Sequence, residues 1–167
     1  AIHNRSPRHA QPFVVVNCAA IPGTLMESEL FGHTKGAFTG ASQTQAGKLE
    51  IANTGTVFLD DINSMDINMQ AKLLRVIQEK EFRRIGETRQ RFVDVRFISA
   101  TNKNIEEEIK GGRFREDLYY RLKIICIDIP PLRKRREDII RLLDFFLDFY
   151  ARKMKRSKPV ISPEALQ

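Results

Sequence analysis

Three large apolar residues, Val57, Phe58 and Leu59, emerge from the turn signal Asn53-Thr54-Gly55-Thr56 and end without a spacer in two carboxylates, Asp60 and Asp61. A short apolar run bounded in this way marks a strand buried in a parallel sheet. Carboxylates at its carboxyl end lie where open α/β sheets bind their ligands. The rest of the chain fits that constraint, because strand-like and helix-like segments alternate, the pattern of an α/β fold with a largely parallel sheet. Phe13 to Asn17 reads as a buried strand, and Leu25 to Phe31 as a short helix closed by Gly32. His33 to Gln45 reads as a loop. Asp66 to Lys80 is an amphipathic helix with Met69, Leu73, Leu74 and Ile77 on its apolar face. Val93, Val95 and Phe97 alternate into a strand that ends at Ser99-Ala100-Thr101-Asn102, and Asn104 with Glu107 caps a helix stopped by Gly111-Gly112. Lys123 to Ile129 is expected to be the last strand, ended by Pro130-Pro131. Glu137 to Lys155 is the longest helix, with Ile140, Leu143, Leu147 and Tyr150 as its buried residues, and Ser162-Pro163-Glu164 starts another.

At 167 residues the chain is one domain by length. No apolar run approaches the roughly 18 residues of a membrane span, and the opening AIHNRSPRHAQ has no secretory pattern, so a cytoplasmic location with no membrane partner is expected. Cys18 and Cys126 stand far apart in apolar company and read as small core residues. The net charge of +7 invites a nucleic-acid reading. Its clusters, such as Arg133 to Arg136, flank helices without interleaved aromatics, which favours a solvated surface over a DNA-binding domain.

Four groups of residues could carry chemistry. Asp60 and Asp61 could hold a magnesium ion and orient water. Thr101 and Asn102 would end a second strand beside the same crevice. Arg115 and Arg121 flank a segment with Glu116, Asp117, Tyr119 and Tyr120, and arginine suits phosphate because its planar donor fork is permanently charged. Gly36-Ala37-Phe38-Thr39-Gly40-Ala41 holds a bulky apolar residue between glycines in a polar loop, where Phe38 either tucks back onto the domain or awaits a partner.

The segments ELFGHTKGAFTGA, GKLEIANTGTVFLDD, QAKLLRVIQEKEFRRIG, ISATN, GRFREDLYYRL and PPLRKRREDI occur in this order, and with them the chain resembles the AAA+ central domain of bacterial sigma-54-dependent transcriptional activators. The resemblance covers essentially the whole chain. It implies an AAA+ P-loop NTPase-type fold, a three-layer parallel sheet with helices on both faces. It also implies a homo-oligomeric ring, usually a hexamer, that spends ATP hydrolysis on remodelling the sigma-54 RNA polymerase holoenzyme, with DNA bound through a separate domain. By resemblance Asp60 coordinates Mg2+, Asp61 stands where the catalytic glutamate is usual, and Asn17 pairs with that acid. Thr101 and Asn102 form the first nucleotide sensor, Arg115 and Arg121 reach the neighbouring subunit's ATP, and Gly36, Ala37, Phe38, Thr39, Gly40 and Ala41 contact sigma-54. The pattern departs from the family in two ways. No G-x-x-x-x-G-K-[ST] occurs, since the one Gly-Lys, Gly47-Lys48, is followed by Leu49. The expectation is therefore a chain lacking the Walker A strand and loop and most of the helical lid, with residues 1–131 a partial core and 132–167 the start of the lid. Aspartate in place of glutamate at Asp61 is the second departure. A non-hydrolysing sigma-54-interaction or regulatory module is the alternative.

Overall fold

A computed structural model describes residues 1–162. The helix start read at Ser162-Pro163-Glu164 lies outside them. The chain divides into two compact units, Ala1–Ile125 and a second that begins at Cys126. The first holds a parallel sheet of β1 (Phe13–Asn17), β4 (Thr56–Asp60) and β7 (Arg96–Ser99) in the order β1-β4-β7. Between β1 and β4 come α1 (Gly23–Phe31), a two-stranded antiparallel ribbon of β2 (Gly32–His33) and β3 (Gln45–Ala46), and α2 (Lys48–Ile51). Between β4 and β7 come α3 (Ile67–Glu79) and a second ribbon of β5 (Glu81–Phe82) and β6 (Arg91–Phe92). Next follow α4 (Ile105–Lys110) and α5 (Glu116–Leu122), and the second unit carries α6 (Glu137–Met154). The α/β class read from the sequence is the fold observed.

The core forms where apolar faces meet. Val57 and Leu59 of β4 are buried with Val16 of β1, Leu30 of α1, Leu49 of α2, Leu73 of α3 and Leu118 of α5. Local chemistry fixes the helix ends. The Asp66 carboxylate accepts a hydrogen bond from the Met69 N–H at 2.9 Å, and Asn104 accepts from the Glu106 N–H at 3.0 Å. Gly32 takes φ +79° between α1 and β2, and a Cβ there would stand 2.5 Å from the Gln45 carbonyl, so both conformation and space require glycine.

Four expectations are corrected. β1 is an edge strand with Phe13 and Val15 exposed, not a buried one. β7 starts at Arg96 rather than Val93, because the backbone before it is drawn into other bonds at Val93 and Asp94. The Val93 N–H donates to the Lys80 carbonyl, and Asp94 binds Asn53, Thr54 and, through both carboxylate oxygens, Arg8. Lys123 to Ile129 forms no strand, and Ile124, Ile125, Ile127 and Ile129 are exposed together with Cys126. High β propensity makes a strand only where an edge offers its hydrogen bonds, and no ladder partner stands beside this run among the described residues. α6 forms as expected, but Ile140 and Tyr150 are exposed and Leu143 and Leu147 only half-buried. No helix among the described residues is long and apolar enough to cross a membrane.

Replacing Gly32 by alanine is expected to destabilise the domain by more than about 1 kcal/mol, read as a lower urea midpoint with an unchanged slope. Stability equal to the parent would show that the α1–β2 junction relaxes freely.

Candidate functional site

The parallel register brings three strand ends together. Asn17 ends β1 opposite Asp60 at the end of β4, and the Cys18 N–H donates to the Asp60 carbonyl at 2.9 Å. Asp61 turns the chain in the left-handed region, φ 50° and ψ 48°, which aspartate tolerates better than most residues. Its N–H donates to the Asp60 carboxylate at 3.1 Å. The turn is stitched to the end of β7: the Ile62 N–H donates to the Ala100 carbonyl, and the Thr101 hydroxyl to the Asn63 side-chain oxygen at 2.7 Å. Asp60, Asp61 and Thr101 thus share one edge, with both carboxylates partly open to solvent. Asn102 is exposed beside them. The side-chain oxygen of Asn17 accepts from the Ala19 and Ala20 N–H groups, capping the turn after β1 instead of reaching Asp61.

This edge suits a hard cation. Two carboxylates with water and ligand oxygens make a magnesium shell. No group of three or more His, Cys, Asp and Glu side chains converges as a metal site among the described residues. A phosphate cradle is a different matter. Gly47 lies against the α1–β2 junction, where a Cβ would meet the Leu30 carbonyl oxygen at 2.4 Å, and Lys48 pairs with Glu29 at 3.6 Å. Gly47-Lys48 therefore closes the base of the ribbon and does not wrap phosphate.

The arginine segment lies at and within α5. Arg115 precedes α5, and its guanidinium chelates Asp117 with Nε–Oδ1 3.0 Å and a second contact of 2.6 Å. That hydrogen bond holds the Asp117 carboxyl below the usual carboxylate range, against the opposing effect of burial. The Arg115 backbone N–H donates to the side-chain oxygen of Gln70, a fully buried residue of α3. Arg121 lies in the last turn of α5, exposed.

Residues 36–41 form the tip of the ribbon β2–β3. The Gly36 N–H donates to the Ala41 carbonyl at 2.9 Å, and the Ala41 N–H to the Phe38 carbonyl at 3.0 Å. Gly36 and Gly40 both have positive φ, 81° and 101°, with open space where a Cβ would stand, so conformation alone demands glycine there. Thr39 is exposed. Phe38 is 39% exposed, with its ring edge-on to buried His33 at 5.0 Å. Phe38 thus tucks back in part and stays in part exposed. The His33 ring in turn bonds the Ser28 hydroxyl at 2.7 Å. A second loop braces the first: the Thr34 N–H donates to the Ile85 carbonyl and the Ile85 N–H to the Gly32 carbonyl, each at 3.0 Å. Glu50 of α2 moors that loop through Arg84 and Arg91.

A family model described as "Sigma-54 interaction domain" matches residues 1–128. The chain belongs to the sigma-54 interaction domain family. It is 52% identical to the Nif-specific regulatory protein of Herbaspirillum seropedicae over all of this chain and 31% of that protein. It is 58% identical to the phenol regulator MopR of Acinetobacter guillouiae over 87% of this chain and 26% of that one. With the anaerobic nitric oxide reductase transcription regulator NorR of Enterobacter sp. (strain 638) it shares 48% over 99% and 33%. The chain thus spans about a third of the length of the curated relatives it matches. Among solved structures, NtrX from Brucella abortus in complex with ADP superposes with a TM-score of 0.89 at 40% identity, covering 99% of this chain and 36% of that one. NtrX in complex with ATP gives the same score and identity, covering 99% and 35%.

Two features of this sigma-54 interaction domain escaped the reading of the sequence. His33 begins a stretch that reads as loop, and only the antiparallel ribbon turns it toward Phe38. Gln70 stands on the apolar face of α3, where one amide between Met69 and Leu73 is the signal that marks it. Cys18, behind Asp60, matches its expectation: burial first, then the charges of Asp60 and Asp61, push its thiol up to about 12. At pH 8 iodoacetamide is therefore expected to leave one adduct per folded chain, at exposed Cys126, with Cys18 labelled only after unfolding. Two adducts on the folded protein would show that the strand edge is open behind Asp60.

Proposed function

We propose that this domain is the ATPase engine of a sigma-54-dependent transcription activator, coupling hydrolysis in a ring of identical copies to remodelling of sigma-54 RNA polymerase. The observation that carries the reading is the tip at residues 36–41. It offers a half-exposed phenylalanine and an exposed threonine on a ribbon whose base is packed into the core beside α1 and α2. A tip of that kind supplies an apolar anchor on a rigid mount, which is what a partner protein's pocket binds.

Within this reading Asp60 holds Mg2+, which when bound supplies charge neutralisation at the phosphates. Asp61 positions the attacking water and takes its proton. Asn17, opposite Asp60 in the strand register, pairs with Asp61 once its side chain leaves the turn it caps. Thr101, tied to Asn63 in the turn after Asp61, and Asn102 register the state of the site. Arg115 and Arg121 stabilise charge on ATP bound to an adjacent copy, so turnover depends on assembly. Residues 132–167 open the lid, and DNA is bound elsewhere in the protein. The use of Gly47-Lys48 at the ribbon base favours one second reading, a non-hydrolysing module that only presents the tip to sigma-54.

Magnesium-dependent ATP turnover by the full-length protein, followed over a range of protein concentrations, separates the two. A specific activity that rises with assembly is expected; none at any concentration leaves the presenting module. Phe38→Ala is expected to weaken sigma-54 binding by about 2 kcal/mol, roughly thirtyfold, while turnover is kept. Asp61→Glu lengthens the acid by one methylene toward the water and is expected to raise turnover. An unchanged or lower rate would remove Asp61 from the proton-transfer role.

A further inference from the structure

Gln70 is the one buried residue of α3 among the described residues whose side chain can hydrogen-bond. Its amide is saturated on three sides by backbone. The nitrogen donates to the Met65 carbonyl at 2.8 Å and the Arg113 carbonyl at 3.0 Å, and the oxygen accepts from the Arg115 N–H at 2.8 Å. With no solvent access, each of these groups would be orphaned if the amide rotated away.

The three anchor points belong to two segments far apart in sequence, Met65 in one and Arg113 with Arg115 in the other. Met65 closes the turn that begins at Asp61, its N–H donating to the Ile62 carbonyl and the Ser64 N–H to that of Asp61. Arg113 and Arg115 lead into α5, where the Arg115 N–H lies before the helix and has no helical carbonyl to bind. The side chain of Arg115 is aimed separately, by its chelate with Asp117. Its mount therefore has two parts: Gln70 places the backbone and Asp117 the guanidinium fork.

We infer that Gln70 is a positioning residue for Arg115, registering it to the Asp60–Asp61 turn of the same copy. The inference rests on the reading of Arg115 as the arginine presented to a neighbouring copy's ATP. A misplacement of about an ångström at such a group costs on the order of a hundredfold in rate.

The test uses the full-length protein and a nearly isosteric change, Gln70→Met. The expected result is turnover lower by on the order of a hundredfold with the KM for ATP nearly unchanged and rings of parental size. Mixing supplies the readout that a merely structural role would not move. Combined with turnover-dead Asp60→Ala, whose Arg115 is intact, Gln70→Met is expected to regain activity, because its own metal edge is then served by a sound neighbour. Combined with Arg115→Ala it is expected to regain none. Recovery in that second mixture, failure in the first, or near-parental turnover by Gln70→Met alone would overturn the inference. Should Gln70→Met not assemble, Gln70→Glu takes its place in both mixtures, since its carboxylate would face two carbonyl oxygens within the same shape. Loss of turnover in Arg115→Ala with none in Gln70→Met sinks only the role of Gln70. Turnover that survives Arg115→Ala sinks the parent reading and the inference with it.

Discussion

Among the described residues β4 alone has a parallel partner on each side, and its ladders to β1 and β7 place every strand-borne residue of the candidate site. Because the pairing is parallel and in register, the three strands point their carboxyl ends the same way, so that Asn17 lies opposite Asp60 and the turns that carry Asp61 and Thr101 leave from the same edge. The burial of Val57 and Leu59 holds that register in place. A slip of one residue would turn both toward the opposite face. The position of the acids is thus a by-product of the force that folds the sheet.

The domain then treats its two exposed functions differently. The acids sit on the sheet itself, with the turn after them locked by backbone bonds to Ala100. The tip at residues 36–41 sits away from the sheet, on a ribbon joined at its base to α1 and α2, with glycine at each bend and a second loop pressed against it. Such an arrangement lets the tip change shape while the edge that holds the acids does not, because no β4 hydrogen bond is shared with the ribbon.

Much of this was legible in the sequence, for physical reasons that can be named. The run into Asp60 and Asp61, the apolar stripe of α3 and the cap at Asn104 are local signals, and each forms as read. Those that failed depend on neighbours. Phe13 and Val15 spell a buried strand but lie on an edge, and Lys123 to Ile129 has strand composition without a ladder to join. Residues 93–95 alternate correctly, yet Val93 is taken by Lys80 and Asp94 by Arg8, Asn53 and Thr54. The site was read as a set of residue types, and the structure supplied their company: Thr101 with Asn63, Phe38 with His33, Arg115 with Gln70. Thr101 and Asn63, like Arg115 and Gln70, stand far apart in the chain, and a contact of that kind leaves no mark in spacing or periodicity.

The mooring of the second loop carries a consequence of its own. Glu50 holds Arg84 and Arg91 at a partly exposed site, and Arg91 shares itself with Glu87. Ions screen the more open contacts of Arg91 more than the Arg84–Glu50 pair, whose guanidinium is largely buried, whereas the packed residues beneath the sheet are not screened at all. Rising ionic strength should therefore soften the molecule in sequence, slackening the brace behind the tip long before the strands that hold the acids feel any change.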